Sequence, residues 1–225
     1  MKKEDANKKG TTVTGRLKLL TLLSVLAMAV LLCIVSVCLS LSQIKSDYRS
    51  YAEVSTIHLR DALENGKDGW IYDADTGKLY CNENEVSVEL FNTINEEDAK
   101  VYHTFFLDDT RIVTNIKNSS GEYVLGTKAD AAIYDKVKAG NTFTKNGVTI
   151  INSKYTVCYL PIYSNGEFFG MLFTGVNQSA VNSAIAQSVI TFVIITIIGL
   201  AGVIFITQLV LKKVSKDSSC LRAQA

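Results

Sequence analysis

Thr104-Phe105-Phe106-Leu107-Asp108-Asp109-Thr110-Arg111-Ile112-Val113-Thr114-Asn115 joins two β-rich runs through adjacent aspartates and sets an arginine inside the second run. Phenylalanine, threonine, isoleucine and valine suit a pleated surface, and paired aspartates favour a turn because their side chains bond nearby backbone. The stretch therefore predicts a β-hairpin. A period of two puts Arg111, Val113 and Asn115 on one face and Thr110, Ile112 and Thr114 on the other. A guanidinium is rarely buried alone, so Arg111 reaches solvent, pairs with an acid such as Asp108 or Asp109, or receives an anionic ligand.

Outward from the hairpin, residues 70–72 and 78–81 flank Asp73-Ala74-Asp75-Thr76-Gly77 and predict another hairpin. Residues 86–91 are apolar with no decisive period. Asn95 precedes Glu96, Glu97 and Asp98, which predicts a short capped helix running into Tyr102. Beyond the central hairpin, residues 118–121 read as an exposed turn. Thr127, with Asp130 three residues on, predicts a helix that Gly140 ends. Strands are expected around 142–144, over 154–162 and over 168–176, the last two joined by Ser164-Asn165-Gly166. Pro161 lies at a strand end, where a missing donor is tolerated. Before all of these, Ile44, Tyr48, Tyr51, Leu59 and Ala62 recur at helical steps with Ser55 as a polar break. A helix with an apolar stripe is expected there, stopped at Asn65-Gly66. A long helix followed by an antiparallel sheet of five or six strands with short helices between is an α+β domain.

Two runs enclose that domain. Residues 19–44 hold no charge, and residues 189–211 are 23 uncharged positions, roughly 34 Å as helix. Each is long enough to span a bilayer. Basic residues precede the first run (Lys2, Lys3, Lys8, Lys9, Arg16, Lys18) and follow the second (Lys212, Lys213, Lys216, Arg222). Basic flanks mark the cytoplasmic side, so both termini are expected inside and residues 42–187 outside. The expected organisation is a disordered leader over 1–18, spans over 19–41 and 189–211, the outer domain over 42–187 and a tail over 212–225. A cleaved signal peptide is the alternative for the first run, with Ser40-Leu41-Ser42 as the cleavage site. The apolar stretch is far longer than a signal peptide needs, so an uncleaved anchor is expected.

The outer segment carries 19 acids against 13 bases, and the two ends together ten bases against three acids. An acidic outer domain argues against a nucleic-acid partner, and topology alone accounts for the basic ends. Of five cysteines, Cys81 and Cys158 lie in the outer segment, where a disulfide between them is possible, and no pair has metal-ligand spacing. Two histidines, His58 and His103, with no nucleophile elbow and no phosphate-cradling loop, point away from an enzyme, and no cofactor is expected.

Residues 104–115, Gly126-Thr127-Lys128, residues 154–162 and residues 170–176, in that order between two spans, resemble the single Cache domain of bacterial methyl-accepting chemotaxis receptors. The resemblance implies a PAS-like antiparallel sheet behind a long N-terminal helix, flanked by two transmembrane helices. It also implies a pocket between sheet and membrane-distal loops that senses a metabolite. Arg111 matches the family's strand arginine, Val113 stands where alanine is usual, and Tyr155 matches an aromatic position whose accompanying proline is absent here. On that resemblance the ligand is an organic acid or amino acid, and Arg111, Tyr155, Tyr159, His103 and Val113 are the candidate binding residues. Tyr155 and Tyr159 share a strand face, which more often means core, and His103 is more often a hydrogen-bonded histidine than a contact. Residues 212–216 resemble the start of a HAMP linker, beyond which such receptors carry a cytoplasmic coiled coil. The expected function is the sensing part of a transmembrane chemosensory receptor, embedded in the lipid bilayer of the plasma membrane as a homodimer. The alternative is an accessory or scaffold subunit acting through a full-length receptor.

Overall fold

The structure, a computed structural model, describes residues 13–67, 69–94 and 100–222 and divides into two units, residues 42–185 and the two apolar ends. The end unit contains the apolar parts of α1 (Val13–Glu64) and α4 (Gln178–Arg222), two helices long and apolar enough to cross a membrane. Of the expected disordered leader, residues 1–12 lie outside the described residues, while 13–18 are helical.

The other unit holds two antiparallel sheets. β1 (Trp70–Asp73), β2 (Lys78–Cys81) and β3 (Asn84–Glu85) form a small one, so the first hairpin stands apart from the main sheet instead of extending it. The main sheet runs β5-β4-β8-β7-β6, from β4 (Val101–Leu107), β5 (Thr110–Thr114), β6 (Phe143–Ile150), β7 (Ser153–Ser164) and β8 (Glu167–Asn177). Two short helices, α2 (Val88–Ile94) and α3 (Ala131–Lys138), sit in the connections. At the β7–β8 turn Asn165 and Gly166 both take positive φ, 51° and 81°, which matches the right-handed twist of the flanking strands. Val101 and Tyr102 are strand residues, so the helix expected to reach Tyr102 does not. Its proposed start at Asn95 lies outside the described residues. The helix is the earlier apolar patch: Ser87 Oγ accepts from Leu90 N at 3.4 Å as its cap, and Phe91 is driven into the core.

Buried residues gather in three clusters. Trp70, Phe91, Phe105 and Val113 belong to one, with Leu59 of α1; Trp70 stacks on Phe105 with ring centroids 4.8 Å apart. Phe106, Ile133, Tyr155, Tyr159 and Phe173 belong to a second. Ala52, Val101, Cys158 and Val176 form a third. Successive Phe105 and Phe106 thus feed different clusters, as the pleat requires. The stripe of α1 that is buried is Ala52, Thr56 and Leu59, whereas Tyr51 and Ala62 of the expected stripe are exposed. Small side chains let the helix lie close, and Thr56 satisfies its hydroxyl on Ala52 O at 2.6 Å. Cys81 and Cys158 are both buried free thiols, each enclosed in its own cluster, so the possible disulfide does not form.

Candidate functional site

Between β4 and β5 the register shifts: Phe105 pairs with Val113, but Phe106 pairs with Arg111, leaving Ile112 as an extra residue. A β-bulge re-aims the side chains on one side of it. Arg111 and Val113 therefore do not share a face. Val113 packs with Phe105 and Trp70, while Arg111 lies over the Phe106 ring, 5.1 Å from its centroid. Asn115 is turned to a bracing role, its Oδ1 accepting from His103 N at 2.7 Å.

Arg111 lines a cavity of about 250 Å3 between the sheet, the connection 124–130 and α3. The connection is held to β5 by backbone bonds: Gly126 N donates to Arg111 O at 2.8 Å, Arg111 N to Thr127 O at 2.9 Å and Ala129 N to Asp109 O at 2.8 Å. That pairing occupies Thr127, so it does not open α3 as expected. The cap is Asp130, whose carboxylate accepts from Ala132 N and Ile133 N. At the hairpin tip Lys128 Nζ meets Asp109 Oδ2 at 2.7 Å, which with Thr110 holds the Asp109 carboxyl below its usual range. Asp108 accepts from Tyr134 and lies 3.7 Å from Lys138 Nζ. Both aspartates named as partners for Arg111 are therefore engaged elsewhere.

Arg111 is only 5% exposed. Nη1 donates to Thr127 Oγ1 at 3.0 Å, Nε is buried with no acceptor, and among the described residues Arg111 makes no ion pair. Burial lowers its pKa, yet a guanidinium stays cationic in proteins. Tyr159 lines the same cavity, its phenol pushed up to about 12 by burial, so it is a neutral donor or acceptor. Tyr155 belongs to the same cluster, edge-on to Tyr102 at 5.5 Å, without lining the cavity. The rest of the lining includes Val124, Ile133, Val148 and Ile150. A buried cation with spare donors beside apolar walls can take a small anion.

His103 is not part of this cavity. It is buried against Phe91, with Nδ1 3.1 Å from Thr174 Oγ1, and burial alone brings its pKa down to about 4. Neither does Val113 line it, for the bulge aims it into the other cluster. What the strand pattern missed is the apolar wall from α3 and β6, because Ile133, Val148 and Ile150 lie far along the chain from Arg111 and carry no local signal.

A second groove of about 400 Å3 runs between Tyr48 and Tyr51 of α1 and Val101, Val176 and Ala180. Its charged residues, Asp47 and Lys100, are exposed, so it lacks a desolvated group to fix a ligand. Among the described residues no cluster of acids, histidines and cysteines suits a metal ion.

Residues 81–188 match the family model of single Cache domain 3, which spans the sheet, the cavity and the start of α4. A search among curated proteins found no match.

Proposed function

We propose, from the premise that residues 81–188 are a single Cache domain and hence a sensory ligand-binding module, that this chain is a transmembrane sensor of a small carboxylate. The observation that supports the ligand reading is Arg111, a buried residue with an acceptor-less Nε on the wall of a half-open cavity. A lone buried charge is costly, and a carboxylate that accepts from its fork removes that cost, so ligand affinity and domain stability are linked. In the proposed arrangement both apolar helices cross the bilayer, the sensor lies outside, and a homodimer pairs through α1 so that ligand-driven motion is passed along paired helices in a chemoreceptor-like manner.

The test uses the full chain in lipid nanodiscs and a screen of organic acids and amino acids by thermal unfolding. At least one acid should raise the unfolding temperature saturably, and Arg111→Ala should abolish the rise while leaving a cooperative transition. Arg111→Lys should restore only a fraction, since an ammonium keeps the charge and loses the planar fork. An acid whose effect survives Arg111→Ala would remove the arginine from the site.

A further inference from the structure

Resting on the reading that Arg111 receives a carboxylate, we infer that the ligand is a branched aliphatic monocarboxylate, and neither a dicarboxylate nor an amino acid. Three charged side chains line the cavity: Arg111, Lys128 and Asp130. Only Arg111 is buried, and Lys128 is drawn to the exterior by Asp109, 2.7 Å away. A second carboxylate would have no buried cation to meet and would approach Asp130 instead. Desolvating an unpaired anion is far more costly than leaving it in water, so a diacid is disfavoured.

The same inventory disfavours an ammonium. The one acid on the lining, Asp130, is exposed and already accepts two backbone N–H bonds at the start of α3. Tyr159, held neutral by burial, offers no counter-charge. An α-amino group beside the bound carboxylate would stand close to the Arg111 guanidinium and lose hydration without a buried acid in return.

What remains of the lining is mostly apolar, with Thr127 and Thr149 as its polar side chains. Val124 and Ile133 come from the covering side, and Val148 and Ile150 from β6. These branched side chains, with the Phe106 ring, offer an apolar wall to the tail of an acid whose carboxylate sits on Arg111. A short branched acid such as 4-methylpentanoate would set its charge on Arg111 and its branch against Ile133 and Val148.

Calorimetric titration of the full chain in nanodiscs with 4-methylpentanoate, glutarate, leucine and 4-methylpentanamide separates the possibilities, because leucine differs from the first acid only by its amino group. The expected result is binding of 4-methylpentanoate at least about tenfold tighter than glutarate or leucine, and no binding of the amide. Ile133→Ala should move the preference to the longer 5-methylhexanoate, whereas an unchanged ranking would overturn the placement of the tail. Tighter binding of glutarate or leucine that disappears in Arg111→Ala would overturn the monocarboxylate inference and leave the carboxylate site standing. Failure of every acid to bind, equal binding of the amide, or binding indifferent to Arg111→Ala would overturn both.

Discussion

At the residue scale, two buried bases in neighbouring strands are held in opposite ways. His103 is neutral, hydrogen-bonded and packed on Phe91 in the core; Arg111 is a cation with donors left over. Their pH and stability consequences differ accordingly. Burial depresses the His103 pKa from 6.5 to about 4, so the unfolded chain takes up this proton before the folded one does. Stability from this group is therefore complete above the unfolded value of 6.5 and declines as pH falls toward about 4. The loss over that window is about 3 kcal/mol. Denaturant titrations at intervals across it should show His103→Gln flattening the slope relative to the parent, and an unchanged slope would place the acid sensitivity in other groups. For Arg111 the expectation is a gain: Arg111→Met removes a buried unpaired charge at similar length, so the unliganded domain should become about 1 kcal/mol more stable while losing its response to acids. A marked loss of stability would instead make the arginine a packing residue. Its strand position was legible from the sequence, since a mid-strand arginine is conspicuous. The error over Val113 and the candidacy of His103 came from elsewhere: a bulge has no local sequence signature, and a single strand's pattern does not say which of its two faces the cavity adjoins.

At the scale of the elements, hairpins were easiest to read because their turn residues act locally: Asn165-Gly166 supplies two positive φ values, and β1 and β2 close around Asp73–Gly77 as expected. The helices were harder. α1 shows its bulky residues to a sequence reader, yet the face that meets the sheet is built from Ala52 and Thr56, and the choice was made by tertiary approach. That outcome sharpens the dimer proposal. Tyr51 and Val54, 49% and 50% exposed, are the positions available to a second copy, while Ala52, Thr56 and Leu59 are covered by their own domain. In a chain freed of native cysteines, Tyr51→Cys and Val54→Cys should form disulfide-linked dimers in membranes, and Thr56→Cys should not. Crosslinking at none of the exposed positions would favour a monomer. Between β4 and β8 the close approach falls at Gly170, where a Cβ would be forced into the Phe106 carbonyl oxygen. Gly170→Ala should then cost about 2 kcal/mol, because backbone and not a flexible side chain must yield beside the very strand pair that positions Phe106 under Arg111. Denaturant unfolding measures it, and a neutral effect would show that the strands can separate without strain.

For the whole molecule, the charge asymmetry and the two apolar helices carry the topology proposal, and the buried cysteines decide how it can be tested. Cys81 and Cys158 lie between the two apolar helices, but both are enclosed, and burial raises their thiol pKa to about 12 and about 11. The thiolate is the reacting species, so neither native thiol will report sidedness in the folded protein, whichever side of the membrane it occupies. A reporter must be placed on an exposed turn. Ser120 is exposed, its amide held by Asn118 Oδ1 at 2.9 Å, and its side chain is free to change. On intact cells a membrane-impermeant maleimide should label Ser120→Cys at once, should leave the parent chain unlabelled, and should reach Cys220 only after permeabilisation. Denaturing the parent after permeabilisation should then expose Cys81 and Cys158, which checks that their silence came from burial. The proposed topology, argued from positive-inside bias, has the ten terminal bases in the cytoplasm, so external labelling of Cys220, or a need to permeabilise before Ser120→Cys reacts, would reverse the orientation and remove the external sensor from the proposal.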